Sequence, residues 1–320
     1  MSAKHSILVL GGGPDSEREV SLKSAYFIAQ ALRDSGKYAA VHSQTIDKLT
    51  QAELKGLPGD VIFPALHGGW GEGGPLQNLL EADGRPFVGC KAHAARHAMD
   101  KLATKVSAVK LGIPTAEVRT LDLRDPECPL AYPVIIKPVH EGSTVGLHVC
   151  KSATDWAAAL ATITRERSTP KGDRCYMVES CISHPTRPKA RELTVGLIDN
   201  QPLPVIEITP ADVLYDYEAK YTRSDTTYTV EPKLPGHITD TIQRQTAELA
   251  QHMGIRHLAR ADFMLDGDGP EATAWFLEIN TLPGFTDHSL VPMAGRHIGL
   301  PMPVLCSKLI YLALRDRQGP

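Results

Sequence analysis

Ile7-Leu8-Val9-Leu10 is an apolar run too short for a helix, and Gly11-Gly12-Gly13-Pro14 closes it, so it reads as a buried strand. Ser16-Glu17-Arg18-Glu19 has the form of a capping box and opens a helix to about Arg33. Strands follow near Tyr38–Gln44 and Val61–Leu66, then a short helix at Pro75–Asp83 and a strand at Pro86–Val88. This first α/β unit closes near Ala94. Helical periodicity runs from Ala94 to Leu111 and stops at Gly112-Ile113-Pro114. Tyr132–Pro138 reads as a strand, Asp155–Thr164 as a helix and Cys175–Glu179 as an edge-type strand. Glu192–Ile198 is a strand that Asp199-Asn200-Gln201 turns into Leu203–Ile208. Residues 209–232 form a long polar loop, functional or disordered by its length, with tyrosines that argue against plain disorder. A helix at Ile238–Met253 precedes a hairpin of Leu258–Met264 and Trp275–Asn280, turned at Asp266-Gly267-Asp268-Gly269. A glycine-started loop, Gly284–Pro292, and a packing helix at Val304–Arg315 end the chain.

The hairpin carries the strongest chemical signal. Strict alternation puts Glu278 and Asn280 on one face with Phe276, and Arg260 and Asp262 on one face of the partner strand. Two carboxylates and an amide then converge beside a guanidinium, an oxygen-only donor set suited to Mg²⁺ held together with substrate phosphates. A half-buried hairpin with a structural Arg–Asp pair would give the same pattern.

Composition narrows the classes. The chain has 320 residues, 42% hydrophobic and 22% charged, which is ordinary globular make-up and ample for one large or two to three modest domains. With a net charge of −3 and no basic block, nucleic acid is not an expected partner. No apolar run reaches membrane-spanning length, and the residues before Ile7 lack a signal-peptide layout. Six irregularly spaced cysteines point to free thiols in a reducing cytoplasm.

Other loops carry candidate chemistry. His67-Gly68-Gly69-Trp70-Gly71-Glu72-Gly73-Gly74-Pro75, at a strand's carboxyl end, is built for close approach of a ligand, although His67 would also serve as a loop cap. Glu17 sits at the mouth of a glycine turn, where it would also simply complement the helix dipole. Lys137 ends a strand, and His140-Glu141-Gly142-Ser143-Thr144-Val145-Gly146 offers N–H groups and hydroxyls to phosphate, without P-loop spacing. The first glycine turn lacks the third glycine of a dinucleotide fingerprint, with Ser16 in its place.

Taken together, Glu17-Arg18-Glu19-Val20-Ser21, His67-Gly68, Met99-Asp100-Lys101, Glu141–Gly146, Arg191-Glu192-Leu193-Thr194, Tyr217-Glu218-Ala219-Lys220-Tyr221, Arg260-Ala261-Asp262 and Glu278–Gly284 strongly resemble the D-alanine–D-alanine ligases of the ATP-grasp superfamily. The motifs stand in the family's order from about Ile7 to beyond Pro292.

The resemblance implies a three-domain ATP-grasp fold with an N-terminal Rossmann-like parallel-sheet domain. The substrate-binding unit would be residues 1–94, the central subdomain 95–180, and the C-terminal subdomain 181–320 with an active-site loop at 209–232. It implies ATP-dependent joining of two D-alanine molecules through a D-alanyl phosphate, for peptidoglycan precursors, in a cytoplasmic homodimer. Asp262, Glu278 and Asn280 match ligands of two Mg²⁺ (or Mn²⁺) ions. Lys101, Lys137 and Lys220 match phosphate contacts, Glu179 and Glu192 adenine and ribose contacts, and Cys181 falls in the adenine wall. Glu17, with His67 nearby, matches the anchor of the first substrate, and Ser143 and Tyr221 match its partners in loop closure. Arg260 and the Gly284 N–H match the oxyanion site. Ser289 and Leu290 match contacts to the second substrate's carboxylate. Relatives that make D-alanyl-D-lactate lack the Lys220-Tyr221 pair, so this loop favours the dipeptide.

Four departures stand out. An aspartate usual in the family is missing at Gly73 or Gly74, which is expected to loosen that loop. Ser183–Ala190 is an insertion, Cys181 replaces a larger residue, and Leu282 replaces a small polar one. A ligase for other amino or hydroxy acids, or a non-catalytic nucleotide-binding protein on this fold, are the competing readings.

Overall fold

The computed structural model describes residues 4–142, 146–167, 174–182, 190–209 and 226–317. The first sheet is parallel, with β1 (Ser6–Gly12) between β2 (Ala40–Ile46) and β3 (Val61–Pro64). Its central strand is covered on both faces, which is why the apolar run is continuous. Ile7 and Val9 face Ile28 and Leu32 of α1 (Arg18–Asp34), while Leu8 and Leu10 face Leu54, Leu76 and Leu80. Those leucines come from α2 (Gln51–Gly56), which the alternation did not signal, and α4 (Pro75–Asp83). The expected loop after β3 contains a single helical turn, α3 (Gly68–Gly71).

Three expectations for this half are corrected. Helix α1 starts at Arg18 with Glu17 at its cap position and no side-chain cap, so Ser16 lies one residue too early for a capping box. The box that forms is Thr50 with Glu53, ahead of α2. The strand at Pro86–Val88 reduces to one bridge between Ile62 and Phe87, because Pro86 has no N–H to donate and Gly89 turns away at φ +103°. The Ala94–Leu111 helix is two helices, α5 (Ala92–Met99) and α6 (Lys101–Lys110), broken where the Asp100 carboxylate accepts the Ala103 N–H at 3.0 Å.

The second sheet is antiparallel in the order β4 (Val118–Thr120), β7 (Tyr176–Ser180), β5 (Val134–Pro138), β6 (His148–Cys150). Strand β7 is therefore interior, not an edge, since β4 shields it. Helix α7 (Ala153–Arg167) seals one face with Trp156 and Ile163 against Val134, Ile136 and Val178.

The third sheet runs β11 (Thr227–Val230), β10 (Ile206–Thr209), β8 (Arg191–Ile198), β12 (Leu258–Leu265), β13 (Ala274–Asn280), with β9 (Gln201–Pro202) on β8. Strand β11 lies inside the expected 209–232 loop, and the Leu203–Ile208 strand is replaced by the shorter β9 and β10. Helix α8 (Ile238–His252) covers one face through Ile242 and Leu249. Helices α9 (Leu290–His297) and α10 (Met302–Arg317) cover the other, and α10 also packs on α1, so the first and third sheets share one core.

The alternation on β13 needs one correction. Asp262 pairs with Glu278 but Phe263 pairs with Phe276, leaving Leu277 as the extra residue of a β-bulge. Phe276 therefore turns into the core against Phe263, with ring centroids 5.8 Å apart, and does not share a face with Glu278 and Asn280.

A buried histidine also ties the first unit to the third. His257 (φ +67°) accepts the Gly89 N–H at Nδ1 (3.0 Å), and its Nε2 donates to Asp316 (3.0 Å). Burial, aided by the Arg256 charge, lowers the His257 pKa from 6.5 to about 4 against the pull of Asp316. The fold accepts the neutral ring. This contribution is complete above pH 6.5 and is lost as pH falls towards 4, by about 3 kcal/mol. The unfolding free energy of the parent chain should thus fall more steeply between pH 7 and 4 than that of His257→Gln. Parallel curves would remove this assignment.

Candidate active site

The β12–β13 hairpin brings the predicted metal residues together. Asp262 lies opposite Glu278, and Arg260 opposite Asn280. The Arg260 guanidinium forks Asp262, with Nε donating to Oδ1 at 3.0 Å and Nη2 to Oδ2 at 2.8 Å. Thr194 on β8 donates to Asp262 Oδ1 at 2.6 Å, and Asn280 Nδ2 approaches Oδ2 at 3.4 Å. Lys101 Nζ stands 3.2 Å from Glu278 Oε2 and also donates to the Glu141 carbonyl. Each hairpin carboxylate thus has a cation beside it.

Arg260, Asp262, Glu278 and Asn280 line a cleft of about 770 Å³ together with His67, Glu192, Pro283, Gly284, Ser289 and Leu290. A smaller cavity of about 320 Å³ shares Glu72, Glu278 and Asn280 with the cleft and adds Lys101, Glu141 and Gly142. Glu17 lines a third opening with His140, Glu141, Gly142 and Arg174, and its Oε2 comes so near Gly142 that a Cβ there would sit 3.5 Å away. Gly284 lies close against the next turn, where a Cβ would meet Ser289 Oγ at 3.0 Å. Ser289 Oγ accepts the Thr286 N–H (2.9 Å) immediately before α9, which shapes that corner.

His67 is buried and donates from Nδ1 to the Leu282 carbonyl at 3.0 Å, with Nε2 3.5 Å from Ser24. Burial lowers its pKa, and the Glu17 charge and the Leu282 carbonyl oppose this, so the neutral ring links the first sheet to the turn after β13. Leu282 thereby serves through its main chain while its side chain joins the shared core.

Glu72 was not singled out from the sequence. Burial and the Glu17 charge push its carboxyl up to about 8, with Gly68 N–H and Arg260 opposing. It was the lone carboxylate of the glycine loop, and that was the available signal. Gly73 and Gly74, where the family's aspartate is missing, pack closely. A Cβ on Gly73 would lie 2.4 Å from the Gly69 carbonyl, and one on Gly74 2.5 Å from Arg96. Asp15, also missed, ties the loop down by accepting the Trp70 N–H at 3.0 Å.

Lys137 and Glu179 form a separate buried group. Lys137 Nζ is 2.5 Å from Glu179 Oε1, and Lys105, a residue the sequence reading passed over, is 3.0 Å from Oε2. Burial pushes the Glu179 carboxyl up, but Lys137 and Lys105 outweigh it and hold it below the ordinary value. Cys181, half-buried just beyond β7, has its thiol pushed up by burial, and all six cysteines are free. Ser143, Lys220, Tyr221 and most of the 183–190 insertion lie outside the described residues.

Comparison with known proteins gives one answer. The family described as "D-ala D-ala ligase C-terminus" matches residues 115–311. The D-alanine–D-alanine ligase of Anaeromyxobacter sp. (strain Fw109-5) is 36% identical, over 95% of both chains. That of Dechloromonas aromatica (strain RCB) is 37% identical, over 99% of this chain and 100% of its own. The crystal structure of the Bacillus anthracis ligase complexed with ATP superposes with a TM-score of 0.79 at 27% identity, covering 99% of each chain. With most of its length matched by the family and full-length relatives above one-third identity, this chain belongs to the D-alanine–D-alanine ligase family and has its ATP-grasp fold.

Proposed function

We propose that this chain joins two D-alanine molecules to D-alanyl-D-alanine, with release of ADP and phosphate. The observation that carries this is the convergence of Arg260, Asp262, Glu278, Asn280, Gly284 and Ser289 on one cleft in a chain of this family. The first carboxylate would take the γ-phosphoryl group of ATP, and the amine of the second D-alanine would displace phosphate from that acyl phosphate.

The residues present fit ATP and divalent metal. Glu179, a buried carboxylate held between Lys137 and Lys105, supplies the acceptor for the amine of adenine. Asp262, Glu278 and Asn280 offer hard oxygen donors, and among the described residues no cluster of three His, Cys, Asp or Glu forms a cage by itself. Two carboxylates completed by phosphates and water suit Mg²⁺ (or Mn²⁺). When bound, two such ions would offset triphosphate charge and polarise the transferred group.

In this reading Lys101, Lys137 and Lys220 meet phosphates, and Glu192 the ribose. Glu17 holds the first ammonium, with Ser143 and Tyr221 closing over it. Arg260 and the Gly284 N–H receive the oxyanion of the tetrahedral intermediate. At the start of α9 the Ser289 hydroxyl and the Leu290 main-chain N–H meet the second carboxylate. Residues 1–94, 95–180 and 181–320 act as the three domains. Among the described residues no single helix is long and apolar enough to cross a membrane. A cytoplasmic homodimer accords with the family.

Phosphate release with Mg·ATP tests this, using D-alanine alone and then with L-alanine, D-serine or D-lactate added, with products weighed by mass spectrometry. Release that depends on D-alanine and yields the dipeptide is the expected result. Release with another pair only would move the chain to a sister ligase activity. Silence with ATP bound would make it non-catalytic.

A further inference from the structure

Glu179 is touched by two lysines that differ in how they are held. Lys137, from β5, reaches Oε1 with its side chain 13% exposed. Lys105, from α6, reaches Oε2 with its side chain 2% exposed and is anchored away from the cleft. Its Nζ donates to Thr115 Oγ1 at 2.6 Å, and Thr115 Oγ1 donates to the Phe276 carbonyl on β13 at 2.9 Å. The Phe276 N–H returns to the Pro114 carbonyl at 2.8 Å, so this anchor is fastened to the metal strand at two points.

The two cations have different freedom. Lys105 is fixed at both its stem and its ammonium. Lys137 has one ionic partner among the described residues, Glu179, and the more exposed side chain. A lysine that meets a nucleotide phosphate must leave or share that carboxylate. If it were the sole counter-charge, its departure would strand a buried anion, and the anion would compete with phosphate for it.

We propose that Lys105 is a positioning residue for ATP binding: it keeps Glu179 charged and fixed, so that Lys137 can be given over to the nucleotide phosphates. This rests on the assignment of Lys137 to phosphate made above. The ammonium of Lys105 touches neither ATP nor the reacting atoms.

Steady-state kinetics on the full chain tests it. Lys105→Met should raise the KM for ATP about tenfold or more, with smaller changes in kcat and in the KM for D-alanine. The decisive comparison is made in the Glu179→Gln background, where no carboxylate retains Lys137. There Lys105→Met should leave the ATP KM within about twofold. An equal rise in both backgrounds would show that Lys105 acts only on folding or packing and would overturn the proposal. Circular dichroism checks each variant. If Lys105→Met alone does not fold, Glu179→Gln, in which Lys105 keeps its hydrogen bond to Thr115, and the double variant still carry the comparison: equal KM values support the proposal, a further rise overturns it. Lys137→Met separates the two readings. An unmoved ATP KM there removes the phosphate role of Lys137, whereas a raised one with no effect of Lys105→Met removes only the role of Lys105.

Discussion

Glu278→Gln is expected to lower D-alanine-dependent phosphate release about a thousandfold, equivalent to about 4 kcal/mol of lost transition-state stabilisation. The exchange keeps the size of the side chain and removes one charge. Glu278 faces Asp262 across the hairpin, and these two carboxylates are the anionic part of the proposed metal set. Lys101 loses its carboxylate partner at 3.2 Å but keeps the Glu141 carbonyl, and the position is half-buried, so the fold should survive. The check is a rate measurement beside a thermal melt. Near-normal turnover with an unchanged melt would sink the metal assignment. Lost turnover with a collapsed melt would show only that Glu278 holds the hairpin.

Arg260→Lys should cost nearly as much, about a hundredfold in kcat, although the charge is kept. The guanidinium does two things at once: it forks both oxygens of Asp262 and it lines the cleft beside Gly284. An ammonium donates from a point and cannot hold the carboxylate in that plane while offering a second donor to an oxyanion. The KM for ATP should change less than kcat, because the developing charge exists only in the transition state. An Arg260→Lys variant with full kcat would remove the oxyanion role and leave a structural ion pair.

Much of this site was legible because it obeys short-range rules. Arg260 and Asp262 are two apart on a strand, so spacing put them on one face, whereas Gly284 reached the chemistry only through the family resemblance. The covered strand Ile7–Leu10 was legible for the same reason. What escaped depended on distant partners. Lys105 lies on a helix that looks amphipathic, where lysine usually faces water, and only the approach of Glu179 from β7 buries it. Glu72 was visible as a lone acid among glycines, but its raised pKa comes from burial in the assembled site and from Glu17, which reaches it from another element. The interior place of β7 required β4, three residues long and mostly exposed, too weak a pattern to find. The capping serine failed because Glu17 itself stands at the cap position.

The bulge at Leu277 also limits how this chain can vary in length. Its two sides follow opposite parity: Phe276 and residues before it are set by the core, Glu278 and Asn280 by the cleft. Deleting Leu277 would restore regular alternation, with Phe276 still turned to the core and Glu278 still opposite Asp262, so a residue can be lost at the bulge without turning either face over, whereas a loss elsewhere in the strand would invert one. Relatives that differ in length within this strand should therefore differ at the bulge, keeping the residues matching Phe276, Glu278 and Asn280 on their present faces.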